Sequence, residues 1–281
     1  MSSFEHIYKN IDNGRGMLYA WFTAMHTRVD IAICGRNEND LKAIAGKVQD
    51  KIVQLEKLAN FYDSDSELAN LNDITAGTTA EVSDELLSML YLSMRYNELT
   101  DGNFDICIKS DGYKNDMCVD VEIDLCNGTL AKHRYGIRFD LSGFLKGYAL
   151  DEARNILERY AVRDTLLSIG NSSILALGNH PFGEGWLVAY PGAEDNNIEV
   201  ALHNECLSTS GNSSSKRMHI LSPSSGKLIE GAGMVSVVTR KGAEGEALAT
   251  AMFVERDPAK RDAILGRFEG ARLMATINNL D

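Results

Sequence analysis

Residues 139–160, FDLSGFLKGYALDEARNILERY, pass from a strand end through a glycine-bearing turn into a helix. Ala149, Ala153, Ile156, Leu157 and Tyr160 recur at helical spacing and give that helix one apolar stripe. Ser142, Gly143 and Gly147 surround its start. Glycines there let a backbone approach a phosphate closely, and the open amides of a helix N-terminus attract an anion. The same small residues also suit a tightly packed strand-to-helix turn, and this stretch alone does not separate the two readings.

Upstream, TRVDIAIC at 27–34 alternates as a strand does and Gly35 ends it. Leu41, Ile44, Ala45, Val48, Ile52, Leu55 and Ala59 then form a helical stripe against Lys, Gln and Asp. Ser83 has the character of an N-cap, with Asp84 and Glu85 at the positive end of a helix that runs to about Leu99. TDGNFDICI at 100–108 reads as a turn leading into a short strand, and the region around Gly112 and Gly128 as hairpin and loop.

Downstream, TLLSIGNSSILALG reads as two strands joined at residues 170–173. WLVAY, IEVAL and MVSVVTR add strands, and EGEALATAMFV is the final helix. Hairpins mixed with isolated helices predict an α+β domain with mixed or antiparallel sheets and packed helices, in place of a doubly wound parallel sheet. No internal repeat is present.

The 281 residues, 44% of them apolar, are ample for a continuous core. A formal net charge of -12 without a basic patch excludes a nucleic-acid partner of the ordinary phosphate-binding kind. An anionic dinucleotide would have to be held locally, by backbone amides, a helix N-terminus or a bridging cation. The five cysteines (34, 107, 118, 126 and 206) lack CxxC or His-paired spacing and read as free thiols. Cys107, Cys118 and Cys126 are separated by gaps that fit no standard zinc pattern. No signal peptide or membrane span is visible, which predicts a cytoplasmic chain, or a periplasmic one if the sequence is a trimmed piece.

Three features carry candidate chemistry. His219 lies beside the hydroxyl-rich turn LSTSGNSSSKRMHILSPSSGK, where it would serve as a general acid or base or simply be solvated. Glu246 and Thr250, four apart near a helix start, present two hard oxygens suited to Mg²⁺, although an N-terminal Glu also favours the helix dipole. Tyr62 offers a ring for stacking, or for packing with its hydroxyl in water.

Four ordered segments resemble the FAD:protein FMN transferases, the ApbE family. FYDSDSELANLN with TDGNFD is similar to F-D-P-D-S-E-L-S-x-L-N and T-D-G-A-F-D. DLSGFLKGYALD is similar to D-L-G-G-I-A-K-G-Y-A-V-D, STSG with HILSPSSGK to A-T-S-G and H-I-I-D-P-R-T-G, and GEALATAMFV to A-D-A-L-A-T-A-L-F-V. The resemblance implies a single two-lobed domain over residues 25–281, after an N-terminal extension at 1–24. It further implies FAD between the lobes, with Met25, Thr27, Lys146, Gly147, Asp151, Gly170 and Ser210 near the nucleotide and Tyr62 near the isoalloxazine. Mg²⁺ would take the Leu145 carbonyl, Glu246 and Thr250, and bridge the pyrophosphate. His219 holds the position of the motif histidine, and FMN would pass to a Thr or Ser of a target flavoprotein with release of AMP.

Five positions depart from the family pattern. His26 stands for the glycine of M-G-T, Asn171 for a glycine of N-I-G-G-D, and Ser172 for a polar or acidic residue there. Ser222 stands for the usual Asp after the histidine, and Glu246 for the metal-binding Asp. The resemblance therefore implies a divergent member, and three readings stand open. It is an Mg²⁺-dependent FMN transferase or FAD pyrophosphatase, a non-catalytic flavin-nucleotide binder, or a scaffold kept for protein contacts.

Overall fold

Strand-forming residues dominate both ends of the chain, and their hairpins assemble one large sheet. In the computed structural model the described residues are 4–12, 14–191, 197–212, 218, 220–231 and 233–278. β1 (Glu5–Asp12), β2 (Arg15–Ala24) and β3 (Thr27–Gly35) are followed by α1 (Glu38–Ala59) and α2 (Glu67–Asn72). β4 (Thr79–Glu81) precedes α3 (Asp84–Leu99), and a hairpin of β5 (Val121–Asp124) and β6 (Thr129–Lys132) leads to α4 (Leu145–Arg159). β7 (Thr165–Ile169), β8 (Ser173–Leu177), β9 (Trp186–Pro191), β10 (Asn197–Leu202) and β11 (Glu205–Asn212) come next. Two short strands, β12 (Leu221–Ser222) and β13 (Lys227–Leu228), precede β14 (Gly233–Thr239), α5 (Gly242–Val254), α6 (Pro258–Leu265) and β15 (Arg272–Asn278).

Eight strands pair in the order β1-β2-β3-β7-β8-β11-β14-β15. Every pairing among the described residues is antiparallel, so the sheets are antiparallel and not mixed. One face of the large sheet, with Leu18, Ala20, Val29, Ile31, Leu167 and Val237, packs under α1, α4 and α5 in the main core. The other face is covered near β8 by the β9–β10 hairpin, where Trp186, Val188 and Leu202 meet Ile174, Ala176, Leu207 and Val238. The expected extension at 1–24 carries β1 and β2, which pair into this same sheet.

α5 is buried almost all round, as a helix apolar on every side must be. Its glycines make that possible. A Cβ on Gly147 of α4 would sit 2.2 Å from the Gly242 carbonyl oxygen, and one on Gly242 would sit 2.4 Å from the Gly147 oxygen. On its other side, a Cβ on Gly245 would come within 2.6 Å of Ser208 Oγ on β11. The α5 N-terminus is capped from α4: Asp151 accepts the Gly242 and Ala243 N–H groups at 2.7 and 3.0 Å.

Four sequence expectations fail. Residues 139 and 140 are no strand end, since Phe139 bonds the Asn72 side chain and the Asp140 N–H bonds the Ile106 carbonyl. Residues 100–108 form turns and no strand, because Asp101 and Gly102 are left-handed (φ 53 and 76) and side chains replace ladder partners. Thr100 Oγ1 accepts the Phe104 N–H at 3.1 Å, and Asp105 Oδ1 accepts the Cys107 N–H at 2.7 Å. STSG at 208–211 lies within β11 instead of a turn, its hydroxyls spaced along a paired strand. EGEALATAMFV is not the last element, since Asp257 caps α6 with Pro258 at its first position and β15 closes the sheet.

Replacing Gly147 with alanine drives a methyl into the α5 backbone, and we expect a loss of about 1–3 kcal/mol in chemical denaturation. Asp151→Ala removes both cap acceptors and should cost about 0.5–2 kcal/mol. An unchanged denaturation midpoint in either variant contradicts this account of the α4–α5 contact.

Candidate functional site

The turn at the start of α4 is held from two directions. Asn72, at the end of α2, donates from Nδ2 to the Phe139 carbonyl at 2.9 Å and accepts the Phe139 N–H on Oδ1 at 2.7 Å. Asp140 Oδ1 then accepts the Ser142 N–H at 2.9 Å, shaping the LSG turn. α4 itself begins at Leu145 with no side-chain cap on its first amides. An uncapped helix start next to a lysine attracts anions.

A cleft of about 550 Å³ opens there, lined by Ser142, Gly143 and Lys146 on one side and by Ser210, Glu246 and Thr250 on the other. Tyr62 and Lys109 also line it, with Ser172, Asp105 and Asp140 among its other polar residues. A smaller recess of about 130 Å³ adjoins it, sharing Tyr62, Ser142 and Lys146 and adding Met25, His26 and Leu145. Thus the α4 start and the acidic helix around Thr250 face one cleft, as the sequence led us to expect.

Within the cleft, Lys146 Nζ hydrogen-bonds Ser172 Oγ and lies 3.9 Å from Glu246 Oε2. Glu246 is only 4% exposed, and its other oxygen accepts from Ser173 Oγ at 2.6 Å. Thr250 Oγ1 and Ser210 Oγ share a hydrogen bond at 3.0 Å. Glu246 and Thr250 are hard oxygen donors on one helix face, a set that fits a small divalent cation. The longer Glu side chain finds room against α4 because Gly147 has no Cβ, which would lie 2.6 Å from Glu246 Cγ.

Another wall is built by the Asn60–Ser66 turn. Asn60 Oδ1 accepts the Tyr62 N–H at 3.0 Å, and Ser66 Oγ donates to the Asn60 carbonyl at 2.6 Å. Tyr62 is thereby held out, 74% exposed, with its hydroxyl accepting from Lys109 Nζ at 2.7 Å. Lys109 also pairs with Asp140 at 2.6 Å and lies 4.9 Å from the Phe61 and Tyr62 ring centroids. Burial works against its charge, but the Asp140 and Tyr62 hydrogen bonds prevail and leave the ammonium harder to deprotonate than usual. Burial pushes the Asp105 carboxyl up, partly offset by hydrogen bonds from Tyr113, Cys107 and Cys118.

Not every expected residue lines the cleft. Gly147 serves the α5 contact, and Asp151, its carboxyl raised by burial, is spent on the α5 cap. Thr27 and Gly170 lie together in a separate shallow recess with Tyr19, Arg28, Asp30 and Asn171, where a Gly170 Cβ would meet Thr27 Oγ1 at 2.8 Å. His219 lies outside the described residues. Sequence reading missed Lys109, Asp140, Asp105 and Ser173, which sit in turns or at a strand start with no periodic signal. The reciprocal bonding of Asn72 was equally hidden.

The sequence pattern of the ApbE family matches residues 25–111 and 113–271. The chain belongs to the ApbE family. Among its curated ApbE relatives is the FAD:protein FMN transferase of Chlamydia muridarum, 26% identical over 230 residues, covering 70% of this chain and 71% of that protein. The flavin transferase ApbE of Vibrio cholerae has a similar structure, with a TM-score of 0.78 at 17% identity over 99% of this chain and 98% of that one. An ApbE protein of Thermotoga maritima matches with a TM-score of 0.78 at 21% identity, over 94% and 97% of the two chains. The α+β, single-domain fold is thus that of ApbE proteins.

The departures from the ApbE pattern now have a setting. Met25 and His26 form the β2–β3 turn with φ 52 and 56, and Gly170 and Asn171 form the β7–β8 turn with φ 64 and 60. A left-handed pair suits the two-residue β2–β3 hairpin, whereas the β7–β8 loop has three residues, and asparagine accepts the conformation better than histidine does. We expect His26→Gly to raise stability by up to about 1 kcal/mol, the relief of left-handed strain exceeding glycine's added chain entropy. A lower melting temperature for that variant would count against this.

Proposed function

We propose that this chain is an Mg²⁺-dependent FAD:protein FMN transferase that binds FAD and attaches FMN to a Thr or Ser of a target flavoprotein. The reading rests on one observation: Lys146 at an uncapped helix start and the Glu246–Thr250 pair face each other in the same cleft, with Tyr62 also lining it. Names of curated relatives support it, since those proteins are FAD:protein FMN transferases.

In this reading the α4 start and Lys146 hold the pyrophosphate. Glu246, Thr250 and the Leu145 carbonyl would hold Mg²⁺, which when bound neutralises charge on the pyrophosphate as its anhydride bond breaks. Ser173 keeps Glu246 oriented by its 2.6 Å hydrogen bond, and Ser210 does the same for Thr250. Tyr62 offers its exposed ring to the isoalloxazine, steadied by Lys109. His219 is assigned to take the proton of the acceptor hydroxyl, because it holds the position of the motif histidine in the family resemblance. The attacking oxygen bonds to the FMN phosphorus, AMP leaves, and the hydroxyl proton passes to the base. With water as the acceptor the same geometry supports FAD pyrophosphate hydrolysis.

Incubation with FAD, Mg²⁺ and a flavoprotein acceptor should release AMP, and Glu246→Ala should slow that release by about 100-fold or more. Yellow protein without AMP would instead identify a non-catalytic flavin-nucleotide binder. Unchanged Mg²⁺ dependence in the variant would remove Glu246 from the metal site.

A further inference from the structure

Behind the Lys109 wall of the cleft, Asp105, Cys107 and Cys118 bring three donor atoms within 4.8 Å of one another. The two sulfurs are 3.3 Å apart, and Cys118 Sγ is 3.2 Å from Asp105 Oδ1. Asp105 and Cys107 are buried and Cys118 is half-buried. We propose that these three residues bind a borderline-soft divalent cation of the zinc class, with a fourth position left to water.

The donor chemistry carries the choice of ion. Two thiolates and a carboxylate match zinc, whereas Mg²⁺ takes oxygen alone. Zinc–sulfur bonds of about 2.3 Å and zinc–oxygen bonds of about 2.1 Å in a tetrahedron put sulfurs about 3.8 Å apart and sulfur about 3.6 Å from oxygen. The Cys107–Cys118 and Cys118–Asp105 separations need to grow by only a few tenths of an ångström, and the Cys107–Asp105 separation, within 4.8 Å, has to settle near the same sulfur–oxygen distance. Tyr113 donates to Asp105 Oδ2 at 2.6 Å and the Cys107 N–H bonds Oδ1 at 2.7 Å, so the carboxylate is already oriented by outer partners. Cys126, exposed at the β5–β6 turn, takes no part.

Without a cation, the Cys107 sulfur and burial both hold the Cys118 proton on. Binding replaces both thiol protons by the metal, and two protons leave to solvent. The cation would tie together the ends of the segment between Cys107 and Cys118, which carries Lys109 into the cleft. This site uses none of the residues assigned to Mg²⁺ and meets the transferase reading only at Asp105, which also lines the cleft.

The test titrates the reduced, chelator-stripped full chain with Co²⁺ in excess Mg²⁺. The expected result is a thiolate-to-cobalt charge-transfer band that saturates at one equivalent, survives in Cys126→Ser and is displaced by Zn²⁺. Cys118→Ser should lose the band and at least about tenfold in Zn²⁺ affinity. In the wild-type chain, which needs no variant to fold, Zn²⁺ binding should release about two protons. The proposal is overturned if the band is absent, persists in Cys118→Ser or is removed by Mg²⁺, if no protons are released, or if Cys107 and Cys118 are found already joined as a disulfide.

Discussion

The site depends on two helices touching backbone to backbone. Gly147 of α4 and Gly242 of α5 meet where neither can carry a Cβ, and Asp151 locks the contact by accepting two α5 amides. The contact sets the depth and rotation of α5. Those in turn bring Glu246 to within 3.9 Å of Lys146 and turn Thr250 toward Ser210 on β11. A helix with larger side chains at 242 and 245 could not fit between α4 and the sheet, and the cleft's acidic wall would be lost.

The cleft solves an electrostatic problem posed by the composition. A chain of net charge -12 has no broad positive surface for a dinucleotide, so the attraction has to be local. In the proposed reading Lys146, Lys109 and the uncapped start of α4 would supply it, and Glu246 and Asp140 balance the two ammonium groups. Asp151 has the opposite task. By occupying the α5 amides it leaves α4 as the helix start open to an anion at this cleft.

Much of the fold was legible because periodic burial writes itself into the chain. The stripes of α1 and α4, the Ser83 cap and the hairpin strands follow from apolar spacing and turn residues, and the structure forms them where the pattern falls, except that Tyr160 is the exposed C-cap of α4 and not part of its buried stripe. The failure at 100–108 has a physical cause, namely side chains standing in for backbone partners. Thr100 and Asp105 satisfy amides that a strand at 100–108 would have paired, so the alternation there is an accident of turns. At the site, Glu246, Thr250 and Lys146 were readable from spacing and family resemblance. Gly147 and Asp151 belong to the same motif, yet they serve its packing and not the cleft lining. Lys109 and Ser173 carried no signal, because their partners Tyr62 and Glu246 lie 47 and 73 residues away.

The two walls of the cleft differ in slack. α5 is wedged between the α4 backbone and the Ser208 and Thr239 side chains, so it does not admit bulk at Gly242 or Gly245. Tyr62 stands on an exposed turn, and its ring is steadied by one lysine. Variation in the shape of a bound molecule is therefore absorbed on the aromatic side, while the oxygen donors of α5 keep their spacing. Evolutionary or engineered changes of ligand preference have room at the tyrosine turn and almost none on the glycine-alanine helix.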